Sequence, residues 1–236
     1  MKRGKFIKNK IFMLKTLGLS VIRDFVFFLK REKDFFEKSN TDRENLIISH
    51  FLDKYPKIFK EYLLKISEKE FLEDLLNLVK FLKNKEVKAD NNFLNSLASY
   101  IAYDLTFIVD RLSNDFFFAD LNERQKVLQE FFDTKSYFSI AVMEMIAFST
   151  YQELNEKIYK SLNLLKESAL VVIQSPLEVN SETKSVIREY FLEKKPYSQT
   201  EFRINKEIIG GIRIFCDGYV ADCSWMSKIQ NLKFKI

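Results

Sequence analysis

Apolar residues recur at intervals of three and four positions along the first two thirds of the chain, which is the spacing of one face of an α-helix. Residues 58–83 show the pattern most clearly, with Phe71 and Leu75 on successive turns. No glycine interrupts the chain between Gly18 and Gly210. The same spacing predicts further helices at residues 5–38, 46–55, 93–112, 122–132, 137–149 and 154–165. We therefore predict a helical bundle.

The pattern changes near Ser168, where β-branched runs and short alternating segments replace the helical spacing. Asp217-Gly218 predicts a tight hairpin turn, because both residues can adopt the positive φ that such a turn needs. The predicted elements are a strand at 170–173, a helix at 181–194, strands at 200–204, 212–215 and 219–222, and a closing helix capped by Ser224. The predicted fold class is α+β, mostly α, with an N-terminal helical bundle followed by a small β-α-β-β-β-α domain.

Positive charge is concentrated at the start of the chain. Residues 1–31 hold nine basic side chains and one acidic one, Asp24, a net charge of +8, whereas the other residues hold 29 basic and 32 acidic side chains, a net charge of −3. The segment is interpreted as a basic surface arm or a retained import signal, and we expect the residues before 40 to lie outside the core of the bundle. Three domains are predicted: a basic helical extension at 1–45, the helical bundle at 46–165 and a small α/β domain at 166–236.

Composition and motifs argue against a reaction centre. Hydrophobic residues make up 47% of the chain and charged residues 30%, an ordinary globular mixture. His50 is the only histidine, and the sequence has no phosphate-binding glycine loop, zinc-protease motif or nucleophile elbow. Cys216 and Cys223 flank the hairpin too far apart for a disulfide and are interpreted as buried thiols. We therefore predict a scaffold or adaptor, with no catalytic residue, cofactor, metal site or small-molecule substrate.

Residues 168–236 carry a series of features in a fixed order. These are Ala169–Ile173, Ser175-Pro176-Leu177, Glu201–Ile204, Ile209-Gly210-Gly211, Asp217, Asp222-Cys223-Ser224 and Ile229–Leu232. In order and spacing the series resembles the C-terminal part of the delta subunit of F-type ATP synthases, called the oligomycin-sensitivity-conferring protein (OSCP) in mitochondria. The likeness continues more weakly upstream, through Leu121–Leu128 and Lys60–Leu82, and so extends over residues 57–236.

The resemblance implies a non-catalytic stator subunit of a rotary F-type ATP synthase. Such a subunit joins the catalytic alpha/beta head to the peripheral stalk, so that the head does not turn with the rotor during proton-driven ATP synthesis. The helical bundle would hold the N-terminal segments of alpha subunits, and the C-terminal domain would hold a b-type subunit of the stalk. In such contacts apolar side chains at helical spacing enter hydrophobic grooves. The protein would lie on the matrix face of the mitochondrial inner membrane or the cytoplasmic face of a bacterial plasma membrane.

Two groups of residues in the C-terminal domain are candidate structural and binding sites. The hairpin of the family motif contains Gly210, Gly211, Asp217, Gly218, Asp222 and Ser224. The candidate partner interface on the closing helix consists of Trp225, Met226, Ile229 and Leu232. Ile229 and Leu232 have a second interpretation as part of the domain's own core. The predicted turn pairs Arg213 with Asp222, and we expect a partly exposed ion pair there.

Two other functions are compatible with the basic N-terminal segment. A peripheral membrane protein would place its Lys and Arg side chains on anionic lipid, and a nucleic-acid-binding adaptor would place them on phosphates. A globular nucleic-acid-binding domain would instead spread basic residues over its own folded face. We therefore predict no nucleic-acid partner for the folded body of the chain.

Overall fold

The structure is a computed structural model of the chain, and it describes residues 12–83 and 91–233, with side chains for 13–83 and 91–230. Residues 1–11, which hold five of the basic side chains of the predicted arm, lie outside the described residues. The first two thirds of the chain form α1 (Phe12–Arg31), α2 (Asn40–His50), α3 (Lys57–Lys65), α4 (Glu68–Leu82), α5 (Asn92–Ser99), α6 (Thr106–Arg111), α7 (Asn114–Phe118), α8 (Leu121–Leu128), α9 (Tyr137–Ala147) and α10 (Tyr151–Leu165). No helix in the described part of the chain combines the length and the apolar character needed to traverse a lipid bilayer.

The predicted helix at 93–112 is present but not uniform. Between α5 and α6 the chain passes through a π-helical turn, Tyr100–Leu105, without leaving the helical path. Several other helices begin at polar caps. Ser67 and Thr150 each form a capping box with the glutamate three residues later, in which each partner satisfies a free backbone N–H of the other.

The last third of the chain forms a small sheet with two helices. Its elements are β1 (Leu170–Ser175), α11 (Ser181–Lys194), β2 (Gln199–Ile204), β3 (Arg213–Cys216), β4 (Tyr219–Asp222) and α12 (Trp225–Lys233). The strand order is β2-β1-β3-β4, with β1 parallel to β2 and antiparallel to β3, and with β3 and β4 as a hairpin. The predicted β-α-β-β-β-α order and the α+β, mostly α fold class are therefore confirmed.

α1 is part of the hydrophobic core. Leu17, Val21 and Phe25 are fully buried on its inner side, and the Phe25 ring stacks on Tyr62. The outer side carries the exposed basic side chains Lys15, Arg23, Lys30 and Arg31. The expectation that the residues before 40 lie outside the core is therefore wrong for this helix. Its basic residues are confined to one side, and its apolar positions keep the helical spacing that buries the other.

The helical body (α1–α10) and the C-terminal domain (β1–α12) have separate hydrophobic cores. The core of the body is rich in aromatic rings, and Phe138 meets both Phe59 and Tyr100 edge to face. The core of the sheet consists of Val171, Ile173 and Phe202, with partly buried side chains packed around them. The division of the chain into three domains remains a prediction.

Candidate interaction site

The β3–β4 hairpin turns where the sequence predicts it. Asp217 has a φ of 48° and Gly218 a φ of 84°, the positive values of a two-residue hairpin turn. Arg213 faces Asp222 in the ladder, which confirms the predicted register. The turn and its register bring the end of β4 to the start of α12.

Asp222 joins the hairpin to the helix that follows. Its carboxylate accepts hydrogen bonds from Nε (3.0 Å) and Nη2 (2.9 Å) of Arg213 and from the backbone N–H of Ser224 (2.9 Å). Hydrogen bonds from Ser224, together with the Arg213 guanidinium, lower the pKa of Asp222. The ion pair is partly exposed, at 33% and 31% of the two side chains, as predicted. Ser224 caps α12 as predicted, because its Oγ accepts the backbone N–H of Ser227 at 3.3 Å.

Gly210 and Gly211 allow α12 to start in contact with the chain that enters the hairpin. A Cβ on Gly210 would lie 2.6 Å from Cδ2 of the Trp225 indole, and the Gly210 carbonyl accepts the backbone N–H of Trp225 at 2.9 Å. Gly211 has a φ of 80°, and a Cβ there would lie 2.4 Å from the carbonyl oxygen of Cys223. A larger residue at either position would push the start of α12 away.

α12 presents large apolar side chains to solvent. Trp225 is 59% exposed, Met226 44% and Ile229 49%, and spacings of three and four residues place all three on one side of the helix. These three residues are called the α12 surface. The side chain of Leu232, the fourth residue of the predicted interface, lies outside the described residues. The structure thus brings three of the four predicted interface residues together at the surface.

Both cysteines are free thiols. Cys216 in β3 is partly buried, and this burial raises the pKa of its thiol. Cys223 is exposed, so the expectation of two buried thiols is wrong for this residue. It directly follows β4, an edge strand whose four residues are all exposed.

α4 carries apolar residues on two sides. Phe71 and Leu78 are buried, whereas Leu72, Leu76 and Val79 are exposed and follow one another at spacings of four and three. These three exposed residues are called the α4 surface. Sequence reasoning did not separate them from the buried residues of the same helix. The available signal was the number of apolar positions, which exceeds what one buried stripe of about 100° accommodates.

Arg124 on α8 ties together segments of the helical body. Its guanidinium donates to the backbone carbonyls of Ala119 (3.0 Å), Ala147 (3.0 Å) and Ser149 (3.2 Å), and also to that of Phe117. Ala147 is the last residue of α9, so Arg124 satisfies carbonyls that the helix leaves free at its C-terminus. The resemblance to the delta subunit includes this arginine but assigns it no role.

Comparison with known protein families gives a match for the second half of the chain. The family model described as ATP synthase delta (OSCP) subunit matches residues 119–236, half of the chain. The chain belongs to this family. The match includes Arg124, the whole sheet, the hairpin and the α12 surface, whereas α1–α7 precede it. No curated protein matches the chain.

Membership of the delta (OSCP) family confirms the relation predicted from the sequence. The family is a structural subunit of ATP synthase, a complex of energy-transducing membranes. The features quoted for the resemblance have structural roles in this chain: Gly210 accommodates the Trp225 ring, and Asp222 links β3, β4 and α12. These residues build the hairpin and position the start of α12.

Proposed function

We propose that this protein is the stator subunit that joins the catalytic alpha/beta head of an F-type ATP synthase to its peripheral stalk. In this position it keeps the head from turning with the rotor during proton-driven ATP synthesis. The observation that supports the proposal is the family match over residues 119–236, a region that ends in the exposed α12 surface. The chain supplies binding and stiffness, and the chemistry takes place on other subunits.

The C-terminal domain binds a b-type subunit of the peripheral stalk through the α12 surface. Trp and Met are enriched in protein interfaces, where a few large apolar side chains carry most of the binding energy. Trp225 is held by the main chain at Gly210, so its ring is positioned before the partner arrives. Leu232, the fourth residue of the predicted interface, follows Ile229 by three positions in the sequence.

The helical body binds the N-terminal segments of alpha subunits. The α4 surface supports this part of the proposal, because Leu72, Leu76 and Val79 repeat at the spacing with which one amphipathic helix meets another. Among the described residues these three side chains stay exposed while the other side of α4 is packed in the core, so they are available to a partner helix.

The proposed location is the matrix face of the mitochondrial inner membrane or the cytoplasmic face of a bacterial plasma membrane. The chain reaches the membrane through the complex. The exposed basic side of α1, with Lys15, Arg23, Lys30 and Arg31, faces outward from the body and suits an acidic neighbour such as another subunit or the lipid headgroups.

Substitution on α12 tests the stalk contact. Met226→Ala with Ile229→Ala removes two side chains of the α12 surface, and Trp225→Ala removes the third. We expect each variant to lower affinity for a purified b-type stalk fragment by at least about tenfold, which corresponds to about 1.4 kcal/mol. The Met226/Ile229 variant should keep the parent melting temperature, because both side chains are nearly half exposed.

The matched control is Val186→Ala with Tyr190→Ala, two exposed apolar residues on α11 of the same domain. It should bind the stalk fragment like the parent. A large loss of stability with normal affinity in the Met226/Ile229 variant would assign these residues to the core and move the stalk contact elsewhere. Co-purification of the tagged chain with alpha and b-type subunits from native membranes tests the assembly as a whole.

A further inference from the structure

The C-terminal domain rests on the helical body through a buried ion pair. Asp110 of α6 and Arg188 of α11 are 4% and 5% exposed. Nη2 of Arg188 donates to Oδ1 of Asp110 at 2.9 Å, and Nε donates to Oδ2. The guanidinium also lies 5.5 Å from the centre of the Phe202 ring in β2. Each side chain therefore relies on the other to compensate its charge, because solvent does not reach the site.

Other polar contacts continue along the same junction. Nε2 of Gln199 in β2 donates to Oδ1 of Asn155 in α10 at 2.7 Å, with both residues buried. The hydroxyl of Tyr151 in α10 accepts the backbone N–H of Phe202 at 3.4 Å. α10 thus covers the outer edge of β2 with polar groups.

The two hydrophobic cores are separate, although Tyr197 of the C-terminal domain packs against the core of the body. Beside the polar contacts lies a cleft of about 650 Å³ with walls from both parts, including Phe118 and Arg203. A junction that is polar and incompletely filled can separate without exposing either core.

We infer that the Asp110–Arg188 pair is a latch that holds the C-terminal domain against the helical body. When one partner is missing, the other becomes a buried charge without compensation, which is strongly unfavourable. The junction then opens to let water reach that charge, and the C-terminal domain moves as a unit on residues 166–169, which connect α10 to β1. Under the proposed function the latch sets the stiffness of the link between head and stalk, but its action does not depend on that function.

Distance measurements on the full-length chain test the latch. Spin labels are attached to Cys223 and to a cysteine introduced by Lys126→Cys on α8, with Cys216→Ser to leave two labelled sites. Asp110→Leu and Arg188→Met are each expected to lengthen and broaden the distance distribution while thermal unfolding stays cooperative. Trypsin should cleave after Lys166 at least about tenfold faster, because cleavage tracks the population of the open form.

The double variant, Asp110→Leu with Arg188→Met, distinguishes a latch from a site at which any substitution would open the junction. Replacing both charges by apolar side chains of similar size removes the unpaired charge, so the distribution should return to that of the parent. Arg213→Met, which breaks an ion pair inside the hairpin, should leave the distance unchanged. The inference is overturned if the single variants keep the parent distribution, if they unfold the whole chain, or if the double variant stays as open as the singles.

Discussion

Two charged side chains, Asp24 and Arg124, fix the two ends of α9 from elsewhere in the chain. The Asp24 carboxylate on α1 accepts the backbone N–H groups of Tyr137 (2.9 Å) and Phe138 (3.0 Å) and the hydroxyl of Ser136 (3.0 Å). Arg124 on α8 binds the carbonyl at the opposite end of the same helix. These two side chains satisfy backbone groups that a helix leaves free at its ends, so their role is in stability.

Loss of Arg124 should destabilise the helical body. Arg124→Met keeps most of the side-chain volume but leaves the four backbone carbonyls that the guanidinium binds without their donor. We expect a loss of about 3 kcal/mol in the free energy of unfolding, since a hydrogen bond to a charged group contributes about 1.5–3 kcal/mol and the four are not additive. Urea unfolding measures the change. Lys126→Met, on an exposed position of the same helix, is the control and should change stability by less than about 0.5 kcal/mol.

Asp24 makes stability depend on pH. Burial raises the pKa of Asp24 above its usual 3.8, although hydrogen bonds from Phe138, Tyr137 and Ser136 oppose the shift. Between the unfolded and folded pKa values the folded chain binds more protons than the unfolded chain, so this group's contribution to stability falls as pH rises. Its full contribution is present below 3.8 and is lost as pH rises through the folded pKa.

Urea unfolding of the parent and of Asp24→Asn across this pH range tests the prediction. The asparagine does not titrate, so the difference in unfolding free energy, parent minus variant, isolates Asp24. We expect this difference to decrease with rising pH. An increase would mean that the hydrogen bonds to the carboxylate outweigh its burial.

At the scale of elements, α1 and α12 both carry apolar residues at helical spacing, but the two helices lie in different surroundings. α1 places its apolar side in the core and its basic side in solvent. α12 rests the Trp225 ring on Gly210 and leaves its apolar side chains exposed. The same helical spacing of apolar residues therefore ends in a core in one case and in a candidate interface in the other.

Two neighbouring phenylalanines on α1 should differ sharply in their contribution to stability. Phe25 is fully buried, whereas Phe27 is 51% exposed and stacks only on Tyr137 among the described rings. Phe25→Ala should lower the free energy of unfolding by about 4 kcal/mol through the lost burial and the cavity. Phe27→Ala should cost about 1 kcal/mol. Equal, small effects in chemical denaturation would show that α1 is not part of the core.

Two glycine-to-alanine substitutions should have opposite effects on stability. Gly210→Ala puts a methyl group against the Trp225 ring and should cost about 2 kcal/mol, as overpacking does. Gly18→Ala on α1 meets Leu78 at an ordinary 3.5 Å and should stabilise the helix by roughly 0.5–1 kcal/mol. Melting temperatures of both variants measure the difference, and the Gly210 variant should also bind the stalk fragment less tightly. If Gly210→Ala changes neither the melting temperature nor the affinity for the stalk fragment, contact with Gly210 does not hold the Trp225 indole in place.

For the whole molecule, local features of the sequence were enough to predict the order of elements and the hairpin. Asp217-Gly218 specifies its turn through backbone conformation alone, and the register of Arg213 with Asp222 follows from the turn. The place of α1 was predicted wrongly, because net charge was given more weight than the spacing of apolar positions. The sequence shows that α1 carries Lys and Arg, but it does not show that other helices of the body cover the apolar side of α1.

The junction between the two parts was beyond sequence reasoning. Asp110 and Arg188 are 78 residues apart in the chain, and each looks like an ordinary charge on a helix. The two sides of α4 were also missed, since burial depends on neighbours that periodicity does not identify. The exposure of Trp225, Met226 and Ile229 on α12 could be predicted because the sheet of so small a domain covers only part of the helix.

The covering of β2 by α10 bears on how the chain avoids aggregation while it is being made. A strand at the edge of a sheet offers free backbone groups to any other strand, and in this sheet both β2 and β4 are edges. Synthesis runs from the N-terminus, so α10 leaves the ribosome before β2 does, and domains fold in that order. Tyr151 and Asn155 are then already available when β2 emerges, so that β4 is the edge left open in the folded chain.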